Sequence, residues 1–275
     1  MQNDNDRILD AKIISSFPAV NEEIVDAVLN KELKEFHRKI IVLDDDPTGV
    51  QTVHGIFVYT DWKKETVRRG FDEKNDMFYI LTNSRSFSEE KTALVYGDIA
   101  RNIEEVSRET GKPYVLVSRS DSTLRGHYPL ETNILQKEIR AVSGAGFDGE
   151  IIVPFFQEGG RYTLRNIHYV KEKNRLVPAA MTEFAKDKTF GYASSHLGEW
   201  CEEKTKGAYR AKDLVYLSIE ELRQFDYEGI ARKLDRVQGF QKIIVNAADY
   251  VDLKIFMIAF VKSVLSGKRF LFRSA

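Results

Sequence analysis

Short apolar runs that end abruptly in polar clusters are the feature that most constrains how this chain folds. The run Ile40-Ile41-Val42-Leu43 is followed at once by Asp44-Asp45-Asp46-Pro47-Thr48-Gly49. Similar apolar runs occur at Met77 to Leu81, Tyr114 to Val117, and Ile151 to Val153. Strands that are continuously apolar, rather than alternating, are typical of parallel sheets covered on both faces.

Helical patterns separate these predicted strands. We expect helices over Ala19 to His37, Leu130 to Val142 and Val251 to Leu265, and one from a Ser86/Glu89 capping box to about Glu109. Further strands are expected at Ile56 to Tyr59 and Lys242 to Val245. The alternation predicts an α/β fold, with a mostly parallel, Rossmann-like sheet flanked by helices. A polar Lys173-Asn174 tip between two apolar stretches predicts a hairpin excursion around residues 166–180.

Composition excludes several classes of protein. The chain has 275 residues, with 41 basic and 42 acidic side chains and a formal net charge of -1, which argues against a general nucleic-acid binder. Its one cysteine, Cys201, excludes an intramolecular disulfide and any metal site built from several cysteines. The polar N-terminus and the lack of an apolar stretch near the roughly 20 residues that span a bilayer predict a cytoplasmic protein without membrane contact.

Four polar clusters are expected to meet at one edge of the sheet, because ligands of open parallel sheets bind outside the carboxyl ends of the strands. Together they contain carboxylates, hydroxyls and arginines, a set that suits a small polyhydroxylated anion. The clusters are Asp44 to Thr48, Thr82 to Ser86, Ser118 to Arg125 and Pro154 to Arg161.

The acidic run is the first candidate for chemistry. Three adjacent carboxylates repel one another, so their folding together needs partners or a cation. A general base, an acceptor for substrate hydroxyls or a Mg²⁺ ligand are the functional interpretations. A solvated acidic turn, with an aspartate capping the next element, is the structural alternative.

Residues 120–127 (Ser-Asp-Ser-Thr-Leu-Arg-Gly-His) give the sharpest signal. Arg125 offers a planar fork for a carboxylate or phosphate, and Gly126 permits close backbone approach. A helix start capped by Asp121 or Ser122 is the structural alternative, and both interpretations are compatible at a helix N-terminus.

The remaining signals are weaker. The segments 82–85 and 157–161 are also consistent with surface turns, and no P-loop pattern occurs in the sequence. The five histidines have no metal-ligand spacing, and only His54 and His127 lie near the polar clusters. Cys201 is interpreted as a packing residue.

The acidic run resembles a motif of a family that includes phosphatases. Residues 40–48 resemble the haloacid dehalogenase pattern, an apolar strand followed by Asp-x-Asp-x-Thr, and residues 80–83 resemble its second motif. This resemblance implies Asp44 as nucleophile and Asp46 as acid/base. The late strand ends Val245-Asn246-Ala247-Ala248-Asp249, without the paired acids that the pattern needs. It also leaves residues 121–126 unexplained.

A second resemblance accounts for more of the sequence. The blocks Asp45 to Gly49, Thr82 to Arg85, Asp121 to Gly126 and Pro154 to Arg161 occur in the order seen in the four-carbon acid sugar kinase family. Residues 182–187, 190–192, 245–248 and 267–273 also resemble that family, so the similarity covers nearly all of residues 38–275.

This second resemblance implies the N-terminal, sugar-acid-binding domain of a two-domain kinase that uses ATP and Mg²⁺. Residues 1–37 are then a helical extension, residues 38–275 the sugar-acid-binding domain, and the nucleotide is expected on a C-terminal domain that this chain lacks. A separate nucleotide-binding chain or a homo-oligomer is the expected partner, and a non-catalytic sugar-acid-binding module is the alternative. No metal ligand is assigned within the chain.

The residues that the resemblance assigns to substrate are Asp45, Thr48, Gly49, Arg85, Ser122, Thr123, Arg125, Gly126, Glu158 and Arg161. Arg125 is expected on the substrate carboxylate. Asp46 and Asp121 are the two candidates for the residue that faces the attacking hydroxyl, and the sequence does not decide between them.

Overall fold

A computed structural model describes residues 7–47 and 54–275 of this protein. The strands in these residues form two sheets. The strands are β1 (Leu9–Asp10), β2 (Lys39–Asp44), β3 (Phe57–Tyr59), β4 (Met77–Leu81), β5 (Tyr114–Arg119), β6 (Gly149–Val153), β7 (Arg161–Leu164), β8 (Ile167–Glu172), β9 (Arg175–Pro178), β10 (Val215–Leu217), β11 (Gln241–Val245) and β12 (Phe270–Ser274).

Eight α-helices are formed by the described residues. They are α1 (Glu22–Leu33), α2 (Lys64–Asp72), α3 (Glu89–Thr110), α4 (Leu130–Ser143), α5 (Leu197–Lys204), α6 (Ile219–Leu222), α7 (Tyr227–Asp235) and α8 (Tyr250–Leu265). Within the part of the chain that the structure describes, no helix is both long and apolar enough to cross a bilayer.

The larger sheet has eight strands in the order β10-β11-β6-β12-β5-β2-β4-β3, and every pairing in it is parallel. This confirms the predicted α/β class. The polar clusters that follow β2, β4, β5 and β6 therefore emerge at one edge of one sheet. β12, which the sequence analysis did not predict, lies between β5 and β6 and joins the two halves of the sheet.

Both faces of this sheet are buried, as the continuous apolar strands predicted. On β5, Val115 packs with the core that contains α7 and α8, whereas Leu116 packs with the core of α2, α3 and α4. On β12, Phe272 packs with the first of these cores and Leu271 with the second. The sheet is thus the middle of three layers.

The smaller sheet is antiparallel, with four strands in the order β1-β9-β8-β7. The predicted hairpin is confirmed as β8 and β9, which turn at Lys173-Asn174. The sequence analysis missed the two outer strands. β1, from the first 37 residues, pairs with β9, and α1 packs against α8.

Some helix boundaries differ from the sequence predictions. The helix expected from Ala19 to His37 spans only Glu22–Leu33, with Asn21 as its cap. The Ser86/Glu89 capping box is wrong, because Ser88 caps α3 by accepting a hydrogen bond from the Lys91 amide. Ser86 instead lies in a 3₁₀ turn, Ser84–Ser86.

Candidate functional site

Two arginines that follow or end the neighbouring strands donate hydrogen bonds to the three aspartates at the end of β2. Arg119 ends β5 and donates to Asp44 Oδ1 at 3.0 Å. Arg85 follows β4 and donates to Asp45 through Nη2 at 2.5 Å and Nε at 3.1 Å, and to Asp46 through Nη1 at 3.2 Å. Since β2 lies between β4 and β5 in the sheet, each neighbour supplies one cation to the acidic strand end.

Asp45 forms the inner part of this cluster. Its side chain is fully buried, and its forked pairing with Arg85 uses both carboxylate oxygens. Ser120 Oγ lies 2.5 Å from Asp45 Oδ2 and 3.1 Å from the carbonyl oxygen of Arg125. Asp45 therefore connects the acidic run to the loop after β5.

That loop is held in shape by its own side chains. Asp121 Oδ2 accepts a hydrogen bond from Arg125 Nε at 2.7 Å and another from the Thr123 hydroxyl. Gly126 has φ +121, and a Cβ atom there would overlap with Ser120 Oγ and lie 3.2 Å from Asp45 Oδ2. The glycine is required by contacts within the protein at this point.

Arg85 links the two carboxylates proposed for catalysis. Its Nη1 atom contacts Asp46 at 3.2 Å and lies 4.0 Å from Asp121 Oδ1. Burial favours the neutral form of Asp121, but hydrogen bonds from Arg125 and Thr123 outweigh it and hold the pKa of Asp121 below its usual value. The side chain of Asp46 is more exposed than that of Asp121, at 27% against 12%.

Two guanidinium groups lie against one aromatic ring beside this cluster. The Cζ atoms of Arg125 and Arg161 are 5.1 and 5.4 Å from the centre of the Phe184 ring. Arg125 is already paired with Asp121, and its Nη1 lies 3.9 Å from Asp187. Arg161 forms no ion pair with any described residue, and its buried Nε has no hydrogen-bond partner there.

Burial lowers the pKa of Arg161 from its ordinary value; the negative charge of Asp121 partly opposes this lowering, and the positive charge of Arg125 adds to it. An anion placed against Arg161 relieves both effects. Arg161 is thus a cation of this cluster that has no ion pair within 4 Å among the residues described, although Asp121 acts on it at longer range.

A buried acid that the sequence analysis missed, Glu131, lies behind the aspartates. Ser84 Oγ donates to Glu131 Oε1 at 2.8 Å, and the Tyr96 hydroxyl lies 3.3 Å from the same Ser84 oxygen. Burial raises the pKa of Glu131 to about 7, and the negative charge of Asp45 adds to the increase. Glu131 begins a helix, and nothing in the local sequence distinguishes it from a surface residue.

His168 supports the loop from the other sheet, a role that the sequence did not indicate. Its Nε2 lies 2.8 Å from the carbonyl oxygen of Ser122, and its Nδ1 lies 3.0 Å from the Thr163 hydroxyl. Since a carbonyl only accepts, Nε2 carries the proton and Nδ1 is free to accept from Thr163. Burial lowers the pKa of His168 to about 4, so the ring is neutral near pH 7.

Most of the predicted site residues come together in this cluster. The side chains or backbone that do so belong to Asp45, Asp46, Arg85, Asp121, Ser122, Thr123, Arg125, Gly126 and Arg161. Thr48 and Gly49 lie outside the described residues. Glu158 is exposed, and its Oε2 accepts a hydrogen bond from Tyr250 at 2.6 Å.

Glu158 lines a different space, a cavity of about 540 Å³ that also includes Arg119 and Phe155. Of the two histidines near the clusters, His54 is exposed and His127 is buried, with its Nε2 3.0 Å from the carbonyl of Phe87. Cys201 is buried on α5, as the packing interpretation expected.

The phosphatase alternative depends on Asp44 as an accessible nucleophile. The Asp44 side chain is fully buried, and its Oδ1 is occupied by Arg119. Burial raises the pKa of Asp44 despite that contact, which further reduces its capacity as a nucleophile. The burial of Asp44 therefore argues against its use as an accessible nucleophile, although its buried Oδ2 has no hydrogen-bond partner among the described residues.

The contacts of Gly126 predict that Gly126→Ala is severely destabilising. Gly267→Ala is the matched control, because Gly267 has a similar φ of +107 but no atom within 4 Å of the added Cβ. Both variants incur the backbone cost, about 1 kcal/mol, and only Gly126→Ala must also displace Ser120 and Asp45. Urea unfolding should give a loss at Gly126 at least about 2 kcal/mol larger. Equal losses would show that the site tolerates the displacement.

The position of Glu131 predicts a pH-dependent stability. The unfolded chain releases this proton near pH 4.5, whereas the folded protein keeps it until about pH 7. Wild-type stability therefore falls across this interval relative to Glu131→Gln, by at most about 3 kcal/mol. Urea unfolding of both proteins from pH 4 to 8 measures the difference, in which contributions such as that of His168 cancel. Glu138→Gln, on the same helix, controls for loss of a carboxylate; parallel wild-type and Glu131→Gln curves would contradict the prediction.

A family model described as "Sugar-binding N-terminal domain" matches residues 40–275. No curated protein is a significant match.

Three solved structures share the fold. A Haemophilus influenzae protein of the family catalogued as DUF1537 has a TM-score of 0.60 at 15% identity, covering 86% of this chain and 53% of its own. A Bordetella bronchiseptica domain of unknown function of the same family, a domain-swapped dimer with bound citrate, has a TM-score of 0.57 at 20% identity, with coverage of 86% and 53%. A Salmonella typhimurium protein described as a candidate tRNA synthase has a TM-score of 0.58 at 15% identity, with coverage of 86% and 52%.

The chain thus spans about half the length of the solved structures it matches. At these identities the likeness shows the fold, and the family model supplies the assignment. The match over residues 40–275 also confirms the resemblance to the four-carbon acid sugar kinase family at the level of its N-terminal domain. The chain belongs to the sugar-binding N-terminal domain family.

Proposed function

We propose that this chain is the substrate-binding domain of an ATP-dependent kinase that phosphorylates a four-carbon sugar acid, a tetronate such as threonate, erythronate or a 3-oxo-tetronate. The main support is Arg161, which forms no ion pair with any described residue and lies beside Arg125, next to the carboxylates of Asp46 and Asp121. The arginines suit the carboxylate of the acid, and the aspartates suit its hydroxyls.

Arg161 is the better candidate for the direct partner of the substrate carboxylate. The sequence pointed to Arg125, but Asp121 already occupies Nε of that side chain at 2.7 Å. The Nε of Arg161 is buried and without a partner among the described residues, and leaving such a donor unsatisfied is costly. In the proposal the substrate carboxylate binds Arg161 directly, and the nearby positive charge of Arg125 also attracts it.

Asp46 is the better candidate for the group that orients the attacking hydroxyl. A general base needs access to the hydroxyl and a pKa that lets it take a proton. Asp121 is largely buried, and hydrogen bonds from Arg125 and Thr123 lower its pKa. Asp46 is more exposed at the edge of the same cluster, which leaves Asp121 to accept hydrogen bonds from other hydroxyls.

ATP and Mg²⁺ are assigned in this proposal to a second domain or a separate chain. Among residues 7–47 and 54–275, no three or more His, Cys, Asp or Glu side chains are grouped to hold a metal ion. Phosphoryl transfer depends mainly on positioning and charge stabilisation. The contribution of this chain is then to hold one hydroxyl of the sugar acid towards the nucleotide. A cytoplasmic location and a homo-oligomer or partner chain stay predictions.

A non-catalytic sugar-acid-binding module is the alternative that uses the same residues. The two are separated by coupled ADP release with a panel of tetronates, measured with and without a nucleotide-binding partner domain. Turnover supports the kinase. Tetronate binding without turnover under any supplementation supports the module.

The assignment of Arg161 predicts how tetronate affinity responds to substitution. In titration calorimetry Arg161→Ala is expected to weaken binding by about 10- to 100-fold, because a hydrogen-bonded charge pair is lost. Arg125→Ala is expected to weaken it too, since Asp121 loses its partner. Arg140→Ala, at an exposed position on α4, is the control and should bind as wild type does. If Arg161→Ala retains wild-type affinity, the carboxylate binds elsewhere.

A further inference from the structure

Phe184 is the residue that contacts both arginines of the site. Its half-buried side chain lies in a 3₁₀ turn, Glu183–Lys186, and its ring centre is 5.1 Å from Arg125 Cζ and 5.4 Å from Arg161 Cζ. Both distances are within the range of cation–π attraction, about 6 Å. Neither the family description nor the motif assignments give this residue a role.

The two arginines reach the ring from different parts of the fold. Arg125 belongs to the loop after β5 of the parallel sheet, whereas Arg161 begins β7 of the antiparallel sheet. Like charges repel, and Asp121 offsets part of this repulsion through its ion pair with Arg125, so a further group that attracts both arginines favours their approach. The negatively charged face of an aromatic ring attracts each guanidinium, and a phenylalanine ring has few rotamers to lose.

The turn that carries Phe184 is itself fixed to the site. The Tyr192 hydroxyl donates to the carbonyl of Thr123 at 2.8 Å, and the Tyr192 amide donates to the carbonyl of Ala185 at 3.1 Å. Thr123 and Arg125 belong to the same loop. These two hydrogen bonds therefore fix the position of the Phe184 turn relative to the loop that carries Arg125.

We propose that Phe184 is a positioning residue, whose ring holds the Arg125 and Arg161 guanidinium groups together as one receptor for the carboxylate of the sugar acid. The receptor's ligand class rests on the proposed function, but the ring's hold on the two arginines does not. Phe184 then governs how strongly the site prefers an acid, without itself contacting the reacting hydroxyl.

The test compares variants that separate the aromatic face from simple packing. Phe184→Leu keeps an apolar side chain but removes the ring, and Phe184→Tyr keeps the ring. Phe190→Leu is the matched control, because Phe190 lies nearby in sequence but packs its ring against His127 at 4.9 Å. Thermal melting confirms that each variant is folded.

The first measurement needs no ligand. The side-chain Nε–Hε NMR signals of Arg125 and Arg161, assigned from Arg125→Lys and Arg161→Lys, report the ring current of a nearby aromatic group. We expect both signals to shift in Phe184→Leu and to stay near their wild-type positions in Phe184→Tyr and Phe190→Leu. Unshifted arginine signals in Phe184→Leu would overturn the proposal.

The second measurement is tetronate affinity by titration calorimetry. Loss of the ring is expected to weaken binding by about 5- to 30-fold in Phe184→Leu, with Phe184→Tyr within about twofold of wild type. If wild type binds tetronates and Phe184→Leu binds equally well, the positioning role is refuted. If wild type binds no tetronate while the arginine signals still shift, the proposed substrate is wrong and the contact of the ring with both arginines is supported.

Discussion

The mutual repulsion of three consecutive carboxylates is the constraint on which this site depends. Asp44 ends a buried strand and Asp45 and Asp46 follow it directly; Asp44 and Asp45 are buried, where their charges are poorly screened by water. The fold offsets the repulsion with Arg119 from one neighbouring strand and Arg85 from the other. This solution needs a strand with a parallel neighbour on each side, because the carboxyl ends of both neighbours then lie beside the acidic run. The charge pattern and the sheet order thus require each other.

The sequence predicted the part of the fold that depends on local pattern. Apolar runs such as Met77–Leu81 became strands at the expected positions, because continuous apolar strands have no stable place except a covered sheet. β12 was missed, since its burial depends on pairing with β5 and β6, more than 100 positions earlier in the chain. The cap of α3 was assigned to Ser86 instead of Ser88 for a similar reason. Both serines precede the acidic residues of the helix start, and only the three-dimensional structure shows that Ser88 is the cap.

The same distinction applies to the site. Residues such as Asp45 and Arg125 were predicted because they follow strands whose ends had to converge. Glu131 and Phe184 were not, because each acquires its role from distant chain segments. The preference between Arg125 and Arg161 as the partner of the substrate carboxylate also changed. Only the three-dimensional contacts show that Arg125 is paired with an aspartate, whereas Arg161 forms no ion pair within the described part of the chain.

The central position of β12 has a consequence for how the protein folds. Without Phe270–Ser274, the described strands of the larger sheet fall into two sets, β10-β11-β6 and β5-β2-β4-β3, and no other described strand pairs one set with the other. Both sets then expose an unpaired strand edge, a surface prone to wrong pairing. The sheet that carries the acidic cluster and its loop partners is therefore completed only by non-local pairing with β12, a strand far from β5 and β6 in the chain, and such pairing is intrinsically slow.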